Sequence, residues 1–138
     1  MKAPGLDESV TVAEGATKRP GLRRKRILLA EDEQSVRQTV ALVLGMDEHT
    51  VVQATNGAEA LALFKEGRFD LVITDLEMPR MKGDELATRI KESSPAQPIL
   101  VMTAYAERLG SCGKPFDARL EKPFALEDLR RAVAELTD

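Results

Sequence analysis

Hydrophobic residues along this chain fall into short continuous runs, which alternate with segments where apolar residues recur every third or fourth position. Continuous aliphatic runs are typical of parallel strands covered on both faces, and the second pattern is typical of helices with one buried face. The predicted strands are 27–30, 49–55, 69–75, 98–103 and 118–122. The predicted helices are 35–46, one that follows Asn56-Gly57, 83–93 and 126–136.

Strands that alternate with helices in this way are typical of α/β proteins with a doubly wound parallel sheet. No internal repeat is visible. Between the last two strands the helical pattern fails, because Leu109–Pro115 contains two glycines and a proline, which disfavour a helix. The predicted fold class is therefore α/β, with a doubly wound five-stranded parallel sheet and a shortened or irregular fourth helix.

The composition limits the function classes. A length of 138 residues suits one domain, with 43% hydrophobic and 31% charged residues. No apolar stretch reaches the roughly 20 residues of a membrane span, and no signal peptide is visible, so no membrane partner is expected. The net charge of −3 and the absence of Trp argue against nucleic acid. A single Cys112 cannot form an internal disulfide, which fits a cytoplasmic location.

The N-terminal segment has a different character. Residues 1–25 are rich in Gly, Pro, Ala and Thr without periodicity, and we predict a disordered leader or linker there, with the folded domain at 26–138. The basic run Arg23–Arg26 is better interpreted as a solvated start of the first strand than as a nucleic-acid or membrane patch, because the chain as a whole is acidic.

Four of the predicted strands end at a reactive polar residue. Glu31 and Asp32 follow the first strand, Asp75 ends the third, Thr103 the fourth and Lys122 the fifth. Ligands of open α/β sheets bind at the carboxyl ends of the strands, so these side chains are expected to share one edge.

These residue types together suit phosphoryl transfer. Crowded carboxylates repel one another unless a cation lies between them, and hard oxygen ligands suit Mg²⁺. Asp75 could act as a nucleophile and form an aspartyl-phosphate. Lys122 could balance the charge of the transferred group, and the hydroxyl of Thr103 could donate a hydrogen bond to it.

The chain resembles a response-regulator receiver domain of bacterial two-component signalling from about Arg26 to its end. The segments that carry the resemblance are Ile27–Glu33, Asp70–Pro79, Met81–Gly83, Pro98–Ala104 and Lys122–Phe124. The resemblance implies a flavodoxin-like sheet in the order 2-1-3-4-5. It also implies Asp75 as phosphoacceptor and Mg²⁺ bound through Asp32, Asp75 and the backbone carbonyl of Glu77, with Glu31 acting largely through water.

By the same resemblance, Thr103 and Lys122 contact the phosphoryl group and the Lys122-Pro123 bond is cis. We expect Gly83 to take a backbone conformation that a side chain would resist. The chain departs from the family at Arg119, where receivers usually carry Tyr or Phe, so the usual coupling of hydroxyl and aromatic residue is in question. Only 18 residues separate Thr103 from Lys122, which suggests a subgroup with a Thr-Gly-Tyr motif and a shortened fourth helix.

The resemblance predicts a signalling switch in a phosphorelay rather than an enzyme. Its expected partners are a histidine kinase or histidine phosphotransfer protein and a downstream protein. One alternative is a receiver segment of a hybrid histidine kinase. Another is an aspartate-nucleophile phosphatase, for which Glu77 would have to serve as general acid. A flavin-binding module is disfavoured because no Ser/Thr/Gly-rich phosphate loop follows the first strand.

Overall fold

A computed structural model describes residues 24–109 and 115–138. Five parallel strands form one sheet in the order β2-β1-β3-β4-β5, which confirms the predicted doubly wound, flavodoxin-like sheet. The strands are β1 Arg26–Ala30, β2 Thr50–Ala54, β3 Leu71–Asp75, β4 Ile99–Thr103 and β5 Ala118–Glu121. The helices are α1 Gln34–Met46, α2 Gly57–Glu66, α3 Gly83–Ser93 and α4 Leu126–Thr137.

The core is divided by the sheet into two layers. Successive side chains of a strand point to opposite faces, so Ile27 and Leu29 join a cluster with α1 and α4, whereas Leu28 joins a cluster with α2 and α3. Strands β3 and β4 are buried at every position. This two-sided burial explains why their sequences are continuous apolar runs instead of alternating ones.

The predicted second strand is one residue too long at each end, because side chains replace the ladder there. At its start, Nδ1 of His49 accepts a hydrogen bond from the backbone N–H of Lys25 at 3.0 Å. At its end, the backbone N–H of Thr55 donates to the carboxylate of Glu59 at 2.7 Å. The same Glu59 donates its own backbone N–H to the side chain of Asn56, the N-cap of α2.

The connection from β4 to β5 contains no α-helix in its described part, as the prediction of a shortened or irregular helix implied. Its described part contains a single 3₁₀ turn at Ala106–Leu109, whereas 110–114 lie outside the described residues. Residues 1–23, most of the predicted leader, also lie outside them, so the domain boundary near 25 stays a prediction.

Gly83, the first residue of α3, lies directly against the backbone of Asp75. A Cβ atom at Gly83 would overlap the Asp75 carbonyl oxygen, and the Gly83 N–H donates to the carbonyl of Leu76 at 2.9 Å. The expectation of a special backbone conformation at Gly83 was therefore wrong, because Gly83 does not have a left-handed φ. A glycine is needed there because a side chain would not fit against the backbone of Asp75.

This contact predicts opposite effects for two glycine substitutions. Gly83→Ala must displace the backbone beside Asp75 and should lower the free energy of unfolding by about 1–3 kcal/mol. Gly45→Ala, in α1 with no atom near the new methyl group, should raise it by about 0.4–1 kcal/mol. Urea unfolding followed by circular dichroism measures both. Equal changes in the two variants would contradict the close contact at Gly83.

Candidate functional site

Three carboxylates meet at the carboxyl edge of the sheet. Glu31 follows β1, and Asp75 ends the neighbouring β3, where the parallel register places Ala30 beside Thr74. One carboxylate oxygen from each of Glu31, Asp32 and Asp75 lies within 4.8 Å of the others. The parallel register therefore brings together the acids that the sequence predicted.

The two buried members of this acidic cluster are held by backbone donors. Glu31 is fully buried, and Asp75 is 8% exposed. The N–H of Leu76 donates to Oδ1 of Asp75 at 2.8 Å, and the N–H of Glu33 donates to Oε2 of Glu31 at 3.1 Å. These bonds fix one oxygen of each carboxylate, whereas Asp32 remains exposed.

Lys122 brings a positive charge into the same cluster. Its Nζ donates to Oε1 of Glu31 at 2.8 Å and lies 3.6 Å from Oδ2 of Asp75. The backbone N–H of Lys122 also donates to the carbonyl of Thr103 at 2.9 Å, which extends the β4–β5 pairing to the site. The bond from Lys122 to Pro123 is cis, as the resemblance implied.

Burial has the largest effect on the pKa of each acid in the cluster. Desolvation raises the pKa of Glu31 and of Asp75, and a neighbouring carboxylate raises each further, although Lys122 opposes both shifts. Burial alone would lower the pKa of Lys122, but its hydrogen bond to Glu31 and the charge of Asp75 raise it above its ordinary value. The amine is therefore a permanent cation within a cluster that has an excess of negative charge.

Thr103 and Glu77 lie at the site but make different contacts. The Thr103 side chain is 1% exposed, and its hydroxyl accepts a hydrogen bond from the backbone N–H of Tyr105 at 2.9 Å. The carboxylate of Glu77 lies 3.2 Å from Nη1 of Arg108 and 3.8 Å from Nζ of Lys82. Neither side chain bonds to the acidic cluster among the described residues, and the Glu77 carboxylate faces Lys82 and Arg108 instead.

Two residues near the site have contacts that the sequence did not suggest. The guanidinium of Arg37 donates from α1 to the backbone carbonyl of Glu31 at 2.8 Å. Arg108 stacks over the ring of Tyr105, with its Cζ 4.3 Å from the ring centre, while it pairs with Glu77. For Arg37, the signal was a lone cation on a helix whose other residues are uncharged.

Arg119, which departs from the aromatic residue of the family, is exposed on β5. A side chain directed to solvent avoids the cost of burying a guanidinium without a partner. Among the residues that the structure describes, Arg119 forms no ion pair. Tyr105, which is half-exposed, packs with Arg108.

Sequence comparisons place the chain near one family and its curated members. Residues 27–134 match the family described as response regulator receiver domain. Response regulator MprA from Mycobacterium sp. (strain KMS) is 37% identical over 107 residues, which cover 75% of this chain and 46% of that protein. The autoinducer 1 sensor kinase/phosphatase LuxN from Vibrio harveyi is 35% identical over 109 residues, which cover 78% of this chain and 13% of LuxN.

Solved structures show the same likeness. Response regulator TrrA from Thermotoga maritima, solved in complex with Mg²⁺-BeF, has a TM-score of 0.77 and 34% identity and covers 81% of this chain and 98% of its own. Chemotaxis response regulator CheY4 of Vibrio cholerae has a TM-score of 0.75 and 29% identity and covers 83% and 99%.

The chain therefore belongs to the response regulator receiver domain family, the receiver class of two-component signalling. It spans about half the length of the MprA proteins it matches. No helix among the described residues is both long and apolar enough to cross a membrane.

The raised pKa values of the two buried acids predict how stability depends on pH. An acid with a raised pKa binds its proton more tightly in the folded chain than in the unfolded one, so the free energy of unfolding falls as pH rises above the ordinary carboxyl pKa. In metal-free protein at pH 7, Asp75→Asn should therefore melt at a higher temperature than the wild type, by about 4 °C per kcal/mol relieved.

The difference in Tm between Asp75→Asn and the wild type should be small near pH 3.5 and should widen toward pH 7, which scanning calorimetry in EDTA can measure. Glu92→Gln is the matched control, because Glu92 is an exposed acid on α3. Its Tm difference should stay nearly constant. A wild type that melts above Asp75→Asn at pH 7 would contradict the strain in the acidic cluster.

Proposed function

We propose that this receiver domain is a phosphoryl-accepting switch of a two-component phosphorelay, phosphorylated on Asp75 with Mg²⁺. The observation that carries the proposal is the placement of Lys122, whose Nζ lies 2.8 Å from Glu31 and 3.6 Å from Asp75 in a buried acidic cluster. A fixed cation beside a fixed carboxylate suits the transfer of a dianionic group to that carboxylate.

The residues present fit a magnesium ion. Asp32 and Asp75 would bind it with the backbone carbonyl of Glu77, and Glu31 would act largely through water. Two observations support this assignment: the acids lie within 4.8 Å of one another, and desolvation and mutual repulsion raise the pKa of the two buried ones. TrrA, a similar receiver, was solved with Mg²⁺-BeF. Bound Mg²⁺ would supply positive charge to the phosphoryl oxygens.

In the proposed transfer, Oδ2 of Asp75 attacks the phosphorus atom. Oδ1 is occupied by the N–H of Leu76, whereas Oδ2 faces Lys122. The new O–P bond forms as the P–N bond of a donor phosphohistidine breaks, and the bonding electrons return to the imidazole, which takes up a proton. Lys122 neutralises charge on the transferred group, and the Thr103 hydroxyl, which already accepts from Tyr105, donates its hydrogen to a phosphoryl oxygen.

The proposed donor is a histidine kinase or a histidine phosphotransfer protein, in the cytoplasm, and the output is contact with a downstream protein. A specific observation keeps the alternative of a receiver segment of a hybrid histidine kinase: LuxN and the receiver domain of hybrid histidine kinase CckA are both similar to this chain. A phosphatase is less well supported, because both oxygens of Glu77 face cations and the carboxylate is not poised as a general acid.

Phosphorylation should require the Asp75 side chain. Asp75→Asn keeps the shape of the residue but removes the nucleophile, so incorporation of phosphate from acetyl phosphate and Mg²⁺ should fall to background. Intact-protein mass spectrometry measures the adduct of about 80 Da. Asp84→Asn, an exposed acid in the first turn of α3, is the matched control and should label like the wild type. Substantial labelling of Asp75→Asn would refute the assignment.

Mg²⁺ should stabilise the fold through this site. By mass action, free Mg²⁺ at 100 times its dissociation constant adds about 2.7 kcal/mol to the free energy of unfolding. The Tm of the wild type should rise with millimolar Mg²⁺, and Asp32→Ala should lose most of that gain. Glu92→Gln should keep it. A melting curve of the wild type that does not respond to Mg²⁺ would count against the metal site.

A further inference from the structure

The side chain of Arg37 contacts the backbone of Glu31 and Asp32, the two acidic residues that follow β1. It lies in the first turns of α1, is half-buried, and directs its guanidinium back toward the end of β1. Its Nη1 lies 2.8 Å from the carbonyl oxygen of Glu31 and 3.5 Å from that of Asp32. One cation therefore reaches the main chain of two consecutive acidic residues, without contacting either carboxylate.

The other bonds of this loop leave Asp32 less restrained than Glu31. The N–H of Glu31 donates to the carbonyl of Ala54, and the Glu31 carboxylate accepts from Glu33. Asp32 has an exposed side chain. Among the described residues, the hydrogen bond found for Asp32 from another side chain is the one that its backbone carbonyl accepts from Arg37. The direction of the Asp32 carboxylate thus depends on how firmly its peptide units are held.

We propose that Arg37 is a positioning residue for Glu31 and Asp32, the two acids that follow β1. It holds the carbonyl of Glu31 by a short hydrogen bond and that of Asp32 by a longer one, and through them it directs both carboxylates toward Asp75. This inference rests on the proposed function, since it assumes that Mg²⁺ binds there. Groups that orient metal-ligating residues through hydrogen bonds commonly lower metal affinity about 10–100-fold when they are removed.

Arg37 should affect Mg²⁺ binding in two opposite ways, through its charge and through its hydrogen bonds. A guanidinium close to a dication opposes its binding, so removal of the charge alone should tighten Mg²⁺ binding. Loss of the two carbonyl contacts should weaken binding, because Asp32 is then free to turn away. The two effects of one substitution have opposite signs, and the observed sign identifies which role dominates.

The experiment is a titration of wild type, Arg37→Gln and Arg37→Lys with Mg²⁺ alone, followed by amide NMR shifts of the folded protein. Arg37→Gln should raise the dissociation constant by about tenfold. Arg37→Lys, which keeps the charge but can reach only one carbonyl well, should fall between them. Arg89→Gln removes an equal charge from an exposed pair with Glu85 on α3 and should leave the affinity unchanged.

A metal-free measurement adds a second readout. In EDTA, Arg37→Gln should speed amide exchange of Glu33, which bonds to the Glu31 carboxylate, and should leave Leu76 unchanged. Unchanged or tighter Mg²⁺ binding by Arg37→Gln, when the wild type binds normally, would overturn the positioning role alone. A wild type whose amides near Asp32 and Asp75 do not respond to Mg²⁺ would overturn both this role and the proposed function.

Discussion

The carboxyl edge of this sheet depends on one unfavourable arrangement, the burial of Glu31 and Asp75 beside each other. Each strand that delivers an acid is held in register by its neighbours and covered on both faces, so the acids have no room to separate. Their repulsion is offset by Lys122 and by backbone donors at Leu76 and Glu33. The other features of the site serve either to create this crowding or to limit its cost.

Much of the fold follows from local sequence, because two-sided burial leaves a clear pattern. The runs at 71–73 and 99–102 are apolar at every position, and the parallel sheet then brings Asp75 and Thr103, which follow them, to the same edge without further information. The acidic residues and Lys122 are found in the same way. The strand limits at His49 and Thr55 were missed because side-chain hydrogen bonds, which no periodic pattern records, replace the ladder there.

The remaining features depend on contacts between distant parts of the chain. Periodicity shows that Arg37 lies on a helix, but it cannot show that its guanidinium reaches back to the carbonyl of Glu31. The sequence marks Gly83 as special, but the reason is proximity to the backbone of Asp75. Likewise, Glu77 could be interpreted as a general acid until its partners, Lys82 and Arg108, were known.

The contact between Gly83 and Asp75 has a mechanical consequence. The first residue of α3 touches the carbonyl of Asp75 and donates a hydrogen bond to that of Leu76. The end of β3 and the start of α3 are therefore in direct contact, with no free space between them. Close-packed protein interiors transmit displacement instead of absorbing it. A shift of the main chain at Asp75 would therefore tilt α3 as a rigid rod, and its charged outer surface, from Asp84 to Glu92, would present a different pattern of charges to a neighbouring molecule.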